Sequence, residues 1–203
     1  MRVLVFGDSI TFGYNDAAGG WAQKLRLTPV FEETDHSIYP LGISGDTTEG
    51  VLKRFEIETL ARRWHGEKTF TVLAIGTNDA QYLINEKRNR YTTDEFEHNY
   101  RSLLDLALEM SAGVLVLGLP PVDDEASKVV SEEKAFFQRR TVELNEIIKQ
   151  FATEKNIPFV DIMSLFQNHG GNVLLDDGLH PNTQGHELIY REVCKQLRDL
   201  LHI

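Results

Sequence analysis

The sequence predicts an α/β domain in which a parallel sheet is covered on both faces by helices, a three-layer α/β/α arrangement. Short apolar runs rich in β-branched and aromatic residues alternate along the chain with segments of helical periodicity. Val3–Phe6, Thr69–Ile75 and Val114–Leu119 are near-continuously apolar, as strands buried on both faces must be. No internal repeat, low-complexity tract or composition break marks a boundary, so residues 1–203 read as a single domain.

The first strand, Arg2–Phe6, is ended by Gly7 and Asp8, residues depleted in strands and common in turns. Ser9 then falls at the C-terminal mouth of that strand, where open α/β sheets place their crevices. Gly13–Gly20 is a loop, and a short helix follows over Trp21–Leu27, with Trp21, Ala22 and Leu25 on its apolar side and Pro29 closing it. A second strand, Ser37–Leu41, runs into the turn LGISGDTT, where Asp46, Thr47 or Thr48 can cap a helix reaching Trp64. The third strand, Thr69–Ile75, stops at Gly76–Asp79. Thr93 and Asp94 can cap a helix carrying Phe96, Tyr100, Leu103, Leu104, Ala107 and Leu108 at helical spacing.

Gly113 breaks that helix, and Val114–Leu119 is a fourth strand stopped by Pro120 and Pro121. Pro120–Ser131 reads as a solvated loop and a candidate substrate loop. It leads to a helix from about Ser131 to Lys155 with an inner stripe of Phe137, Leu144, Ile147, Ile148 and Phe151. Ile157–Val160 is a short fifth strand, and Met163–Asp176 reads mostly as loop. The last helix starts after Pro181, capped by Asn182 or Thr183, with Leu188, Ile189, Val193, Leu197 and Leu200 along it. The crossovers should be right-handed.

Composition narrows the partners. The chain is 41% hydrophobic and 26% charged, ordinary for a globular domain. A net charge of −10, without a lysine or arginine cluster, argues against nucleic acid. The one basic run, Lys87–Arg90, is balanced by Asp94, Glu95 and Glu97 and reads as a solvated loop. No apolar run approaches the roughly 20 residues of a membrane span. The opening residues lack the apolar core and cleavage site of a signal peptide. The single cysteine, Cys194, cannot form an intrachain disulfide and reads as a buried structural thiol. A cytoplasmic location is the expectation.

Four loops at strand ends or helix starts carry the chemistry: Gly7–Thr11, Gly42–Thr48, Gly76–Asp79 and Asp176–Asn182. Each alone also reads as a turn or a helix cap. Together they meet the needs of acyl transfer. A serine hydroxyl needs a base within hydrogen-bond reach. His180 is the best of seven histidines, since Pro181 biases it to an extended conformation. Asp177, three residues earlier and freed by Gly178, can fold back onto the imidazole; the same spacing favours it over Asp176. Oxyanion donors are available in the backbone N–H groups of Ser9 and Gly45 and the Asn78 amide. Tyr14, Trp21, Tyr82 and Leu83 are candidates for lining the rim, and equally for packing. His186, beside Glu187, reads as a surface residue of the last helix. His36, His65, His98, His169 and His202 have no neighbour pattern that suggests chemistry.

With these residues assembled, the chain resembles the SGNH (GDSL) hydrolase family, the lysophospholipase L1-like esterases and acylhydrolases. Gly7-Asp8-Ser9, Gly45 within SGDTT, Asn78 within GTND and Asp177-Gly-Leu-His180 occur in the family's order. The resemblance implies Ser9 as nucleophile and oxyanion donor, Gly45 and Asn78 as the other donors, His180 as base then acid, and Asp177 as its partner. It implies a flavodoxin-like sheet of order 2-1-3-4-5, no cofactor and no metal. The expected partner is a small-molecule ester or thioester with a short or soluble acyl group. Pro40 stands where many members carry asparagine. Two other readings use the same residues: a ligand-binding module that has lost catalysis, and a metal-dependent phosphoesterase built on Asp8, Asp79, Asp177 and His180. A metal site built from Asp177, His180 and His186 is a separate possibility.

Overall fold

The structure is a computed structural model that describes residues 1–29, 31, 36–129 and 132–203, apart from the Val129 side chain. Five parallel strands form the sheet: β1 (Arg2–Gly7), β2 (Ser37–Gly42), β3 (Thr69–Ala74), β4 (Gly113–Leu117) and β5 (Phe159–Val160). Their order is β2-β1-β3-β4-β5, the flavodoxin-like order expected of the family. Gly7 at the end of β1 is level with Gly42 on one neighbour and Ala74 on the other. The loops after these three strands therefore leave the sheet side by side.

Helices flank both faces: α1 (Ser9–Phe12), α2 (Gly20–Arg26), α3 (Thr48–Arg62), α4 (Thr93–Met110), α5 (Gln138–Glu154), α6 (Ile162–His169) and α7 (Thr183–Leu201). Successive strand side chains point to opposite faces, and here both faces are buried. Val3, Val5 and Val72 meet Trp21 and Leu25 of α2 and Ile189 and Val193 of α7. Leu4, Phe6 and Leu73 meet Phe55 of α3, Leu103 of α4 and Ile148 of α5. Each such side chain contributes about 1.5–3 kcal/mol by leaving water, which is why the strands read as unbroken apolar runs.

The helix starts follow capping chemistry. Thr47 accepts from the Gly50 N–H at α3, Asn182 from Gln184 and Gly185 at α7, and Thr92 forms a reciprocal capping box with Glu95 at α4. Pro40 sits within β2, opposite Val5, on an edge strand where a missing N–H is tolerated.

Some expectations are corrected. Met163–His169, expected mostly as loop, belongs to helix α6: Asp161 accepts from the Ser164 N–H, Phe166 enters the core and Gly170 ends the helix at φ +73°. Helix α5 starts at Gln138, seven residues after its expected start; Ser131 itself lies outside the described residues. Ahead of it, Lys134–Ala135 pairs with Tyr82–Leu83, which pairs in turn with Arg88–Asn89, making a small antiparallel sheet. The basic run thus includes a short exposed strand. Within the described part of Pro120–Ser131, Val122 is buried with Phe136 and Leu179, and buried Ser127 donates to the Phe136 carbonyl. That loop is packed as well as solvated. Cys194 is only half-buried.

Candidate active site

Ser9 opens α1 directly after β1. Asp8 makes the turn possible, accepting the Ile10 N–H at 2.9 Å as N-cap. His180 lies in a bend just before α7, and its Nε2 is 2.9 Å from Ser9 Oγ. Its Nδ1 is 2.7 Å from Asp177 Oδ2. Gly178, at φ +62°, lets the chain double back; its carbonyl accepts the Asp123 N–H, so the loop after β4 braces this turn.

Charge fixes the proton positions. Burial pushes the Asp177 carboxyl up, but the His180 backbone N–H, the His180 ring and the Leu179 N–H outweigh it and hold the group below its ordinary value. An ionised Asp177 can only accept, so Nδ1 carries the ring proton. Nε2 is then the acceptor for the Ser9 hydroxyl. Asp176 is exposed.

The three candidate donors leave neighbouring strand ends. The Ser9 and Gly45 N–H groups donate to no group among the described residues. Gly45 holds φ +82° with nothing within 4 Å of where a Cβ would sit, so backbone conformation rather than crowding selects glycine. Asn78 is buried, with its Oδ1 accepting from Gln81 Nε2 at 2.8 Å and its Nδ2 donating to the Asp46 carbonyl at 3.0 Å. Gln81 is held in turn by Arg90. Gln81 did not stand out in the sequence and Arg90 read only as part of a solvated basic run, because the contact joins a strand-end loop to a hairpin invisible in local pattern.

The other candidates separate. Tyr14 is partly exposed and its ring lies 4.5 Å from that of His180. Trp21 is fully buried in the core and reaches no rim surface. Tyr82 and Leu83 are half-buried in the antiparallel sheet, with Tyr82 edge-on to Phe137. Phe12, at the end of α1, and Ile43, on the Gly45 loop, are exposed apolar residues. His186 is not at the surface: it has no exposure, and neither ring nitrogen has a hydrogen-bond partner among the described residues. Burial pushes it down to about 4.

Asp8 and Asp79 are buried carboxyls, raised by burial to about 7 and about 6. Asp79 accepts the Thr48 N–H and hydroxyl. Among the described residues, no three His, Cys, Asp or Glu side chains converge as a metal site. A small cavity of about 20 Å³ lies among Asp8, Trp21, Thr77, Pro120 and Ile189. Four larger surface concavities are lined by none of Ser9, Asp177 or His180. No helix among the described residues is long and apolar enough to cross a membrane.

Residues 5–188 match the model of the GDSL-like lipase/acylhydrolase family. The isoamyl acetate-hydrolyzing esterase of Saccharomyces cerevisiae is 28% identical, over 96% of this chain and 84% of its own. A GDSL esterase/lipase of Arabidopsis thaliana is 26% identical, over 98% and 86%. The fold is similar to that of Axe2, an acetylxylan esterase from Geobacillus stearothermophilus, with a TM-score of 0.74 at 24% identity, covering 97% of this chain and 93% of that one. The chain belongs to the GDSL-like lipase/acylhydrolase family and is an ester-bond hydrolase of the GDSL type.

Proposed function

We propose that this protein hydrolyses small carboxylic esters or thioesters through a Ser9–His180–Asp177 triad and an acyl-enzyme. The observation that carries this reading is the unbroken relay from Ser9 Oγ through the imidazole to Asp177, at 2.9 and 2.7 Å. His180 Nε2 takes the hydroxyl proton as Ser9 Oγ bonds to the acyl carbon. The carbonyl oxygen becomes an oxyanion resting on the Ser9 and Gly45 N–H groups and the Asn78 amide. Collapse breaks the bond to the alcohol or thiol, which leaves with the proton from His180. Water then attacks the acyl carbon, giving its proton to His180. The acid departs as Ser9 regains its hydrogen. Asp177 stays ionised throughout, stabilising the imidazolium formed in each half-reaction.

Small esters suit an open site beside exposed Phe12, Ile43 and Tyr14. The relatives named for isoamyl acetate and acetylxylan point the same way. The unpaired Cys194 and the expected cytoplasmic location are compatible with such a substrate. The test is a fluorophosphonate probe with p-nitrophenyl acetate turnover, on wild type and Ser9→Ala. Labelling and turnover lost together in Ser9→Ala support the triad. Ligand binding without labelling would favour the non-catalytic module, and turnover that survives Ser9→Ala but not a chelator would favour metal chemistry.

A further inference from the structure

We propose that Arg54 is the positioning residue of the oxyanion site, locking the three donor-bearing segments into one frame. This rests on the triad reading above. Arg54 stands on α3 and is nearly buried, away from Ser9's own chain segment. Its Nε donates to Asp46 Oδ2 at 2.9 Å. Its Nη2 donates to the Leu41 carbonyl at 2.8 Å, with a longer 3.4 Å contact to the Gly7 carbonyl. Its guanidinium lies 5.3 Å from the Phe6 ring centroid. One planar fork thus touches the end of β1 two residues before Ser9, the end of β2, and the residue after Gly45.

The third donor joins through Asp46. Its carbonyl accepts the Asn78 amide at 3.0 Å, while its carboxylate is the partner of Arg54. The Ile43 N–H donates to the same Gly7 carbonyl at 3.1 Å. Among the described residues no contact of this network reaches His180 or Asp177, so Arg54 acts through the segments that carry the donors. The geometry demands arginine: lysine offers a point charge and cannot span a carboxylate and two carbonyls while stacking on a ring.

Gly50 supplies an independent handle. A Cβ there would lie 1.8 Å from Asp46 Oδ1, so only glycine leaves room for the carboxylate that Arg54 holds. Gly50→Ala keeps Arg54 and improves helix propensity while displacing its partner.

The experiment measures p-nitrophenyl acetate kinetics per active site titrated with fluorophosphonate, in wild type, Arg54→Lys, Arg54→Met, Gly50→Ala, Asn78→Ala and Arg54→Met/Asn78→Ala. Affinity for an alkyl trifluoromethyl ketone, which adds Ser9 and forms the oxyanion, is measured alongside. Arg54→Met should lower kcat per titrated site by about 10–100-fold with KM within about threefold, less than the loss of a whole donor. Ketone affinity should fall by the same factor as kcat/KM, and Arg54→Lys should recover only part. Gly50→Ala should lower kcat with thermal stability kept. The double variant should be little worse than Asn78→Ala, since both act on one site. Normal kcat per titrated site in Arg54→Met, or in Gly50→Ala if the former does not fold, would overturn the inference. So would fully multiplicative losses. Wild type that hydrolyses ester without Ser9 labelling would overturn the triad reading, and the inference with it.

Discussion

The Tyr14 ring rests against the His180 imidazole, with 4.5 Å between centroids and 37° between planes. The Tyr14 N–H also donates to the Ser9 carbonyl, so one residue packs on the base and ties to the backbone of the serine. Ring pairs of this kind are worth about 0.5–1.5 kcal/mol beyond their buried area. Tyr14→Ala should therefore lower kcat/KM by about 2–10-fold and Tyr14→Phe by much less, measured with p-nitrophenyl acetate. Equal losses in both would mean that the hydroxyl matters and the ring does not.

Asn78→Ala removes a side-chain donor and the acceptor of Gln81 Nε2. Turnover should fall by about 10²–10³-fold with little change in KM. Full activity in this variant would remove Asn78 from the oxyanion site.

The two adjacent aspartates should behave oppositely. Asp177→Asn puts an amide against Nδ1 and favours the tautomer that leaves Nε2 protonated, so kcat should fall by about 10³–10⁴-fold. Asp176 is exposed, and Asp176→Asn should leave kcat unchanged. Kinetics of the pair decide which carboxylate serves His180.

Two buried groups give stability opposite pH dependences. Asp8 is raised to about 7 by burial, so its contribution is fully present below the ordinary carboxyl range and lost as pH climbs towards 7. His186 is lowered to about 4 by burial, so the fold gains stability as pH rises from about 4 to the ordinary imidazole range. Each can tilt the curve by at most about 1.4 kcal/mol per pH unit. Thermal melts between pH 4 and 7 should show Asp8→Asn becoming more stable with rising pH relative to wild type. His186→Leu should show the reverse trend. Parallel curves for all three proteins would contradict the assignment.

The sheet was legible because every central strand is buried on both sides and so is written without polar interruptions. That Ser9, His180 and Asp177 come together was legible because turn-forming residues at a strand end or just before a helix accompany reactive side chains. What escaped depends on partners distant in sequence. Lys134–Ala135 becomes a strand only by pairing with Tyr82–Leu83, so the expected helix start ran too early. His186 carried a usable signal, since positions 186, 189, 193 and 197 lie on one helical stripe and three of them are apolar. Its neighbour Glu187 drew attention away from that spacing. Trp21 shared an apolar face with Ala22 and Leu25, which already suited a core residue better than a rim. Arg54 gave no sign, because an arginine on a polar helix acquires its meaning only when the ends of β1 and β2 and the Gly45 loop meet at its guanidinium.

Pro40 has a consequence beyond the absence of the family's frequent asparagine. Edge strands accommodate proline with its nitrogen turned away from the paired neighbour. Strand β2 is such an edge, and Pro40 interrupts the row of donors that a foreign strand would use as a template. The margin of the sheet beside the Gly45 loop therefore offers a foreign strand a broken row of donors rather than a continuous template.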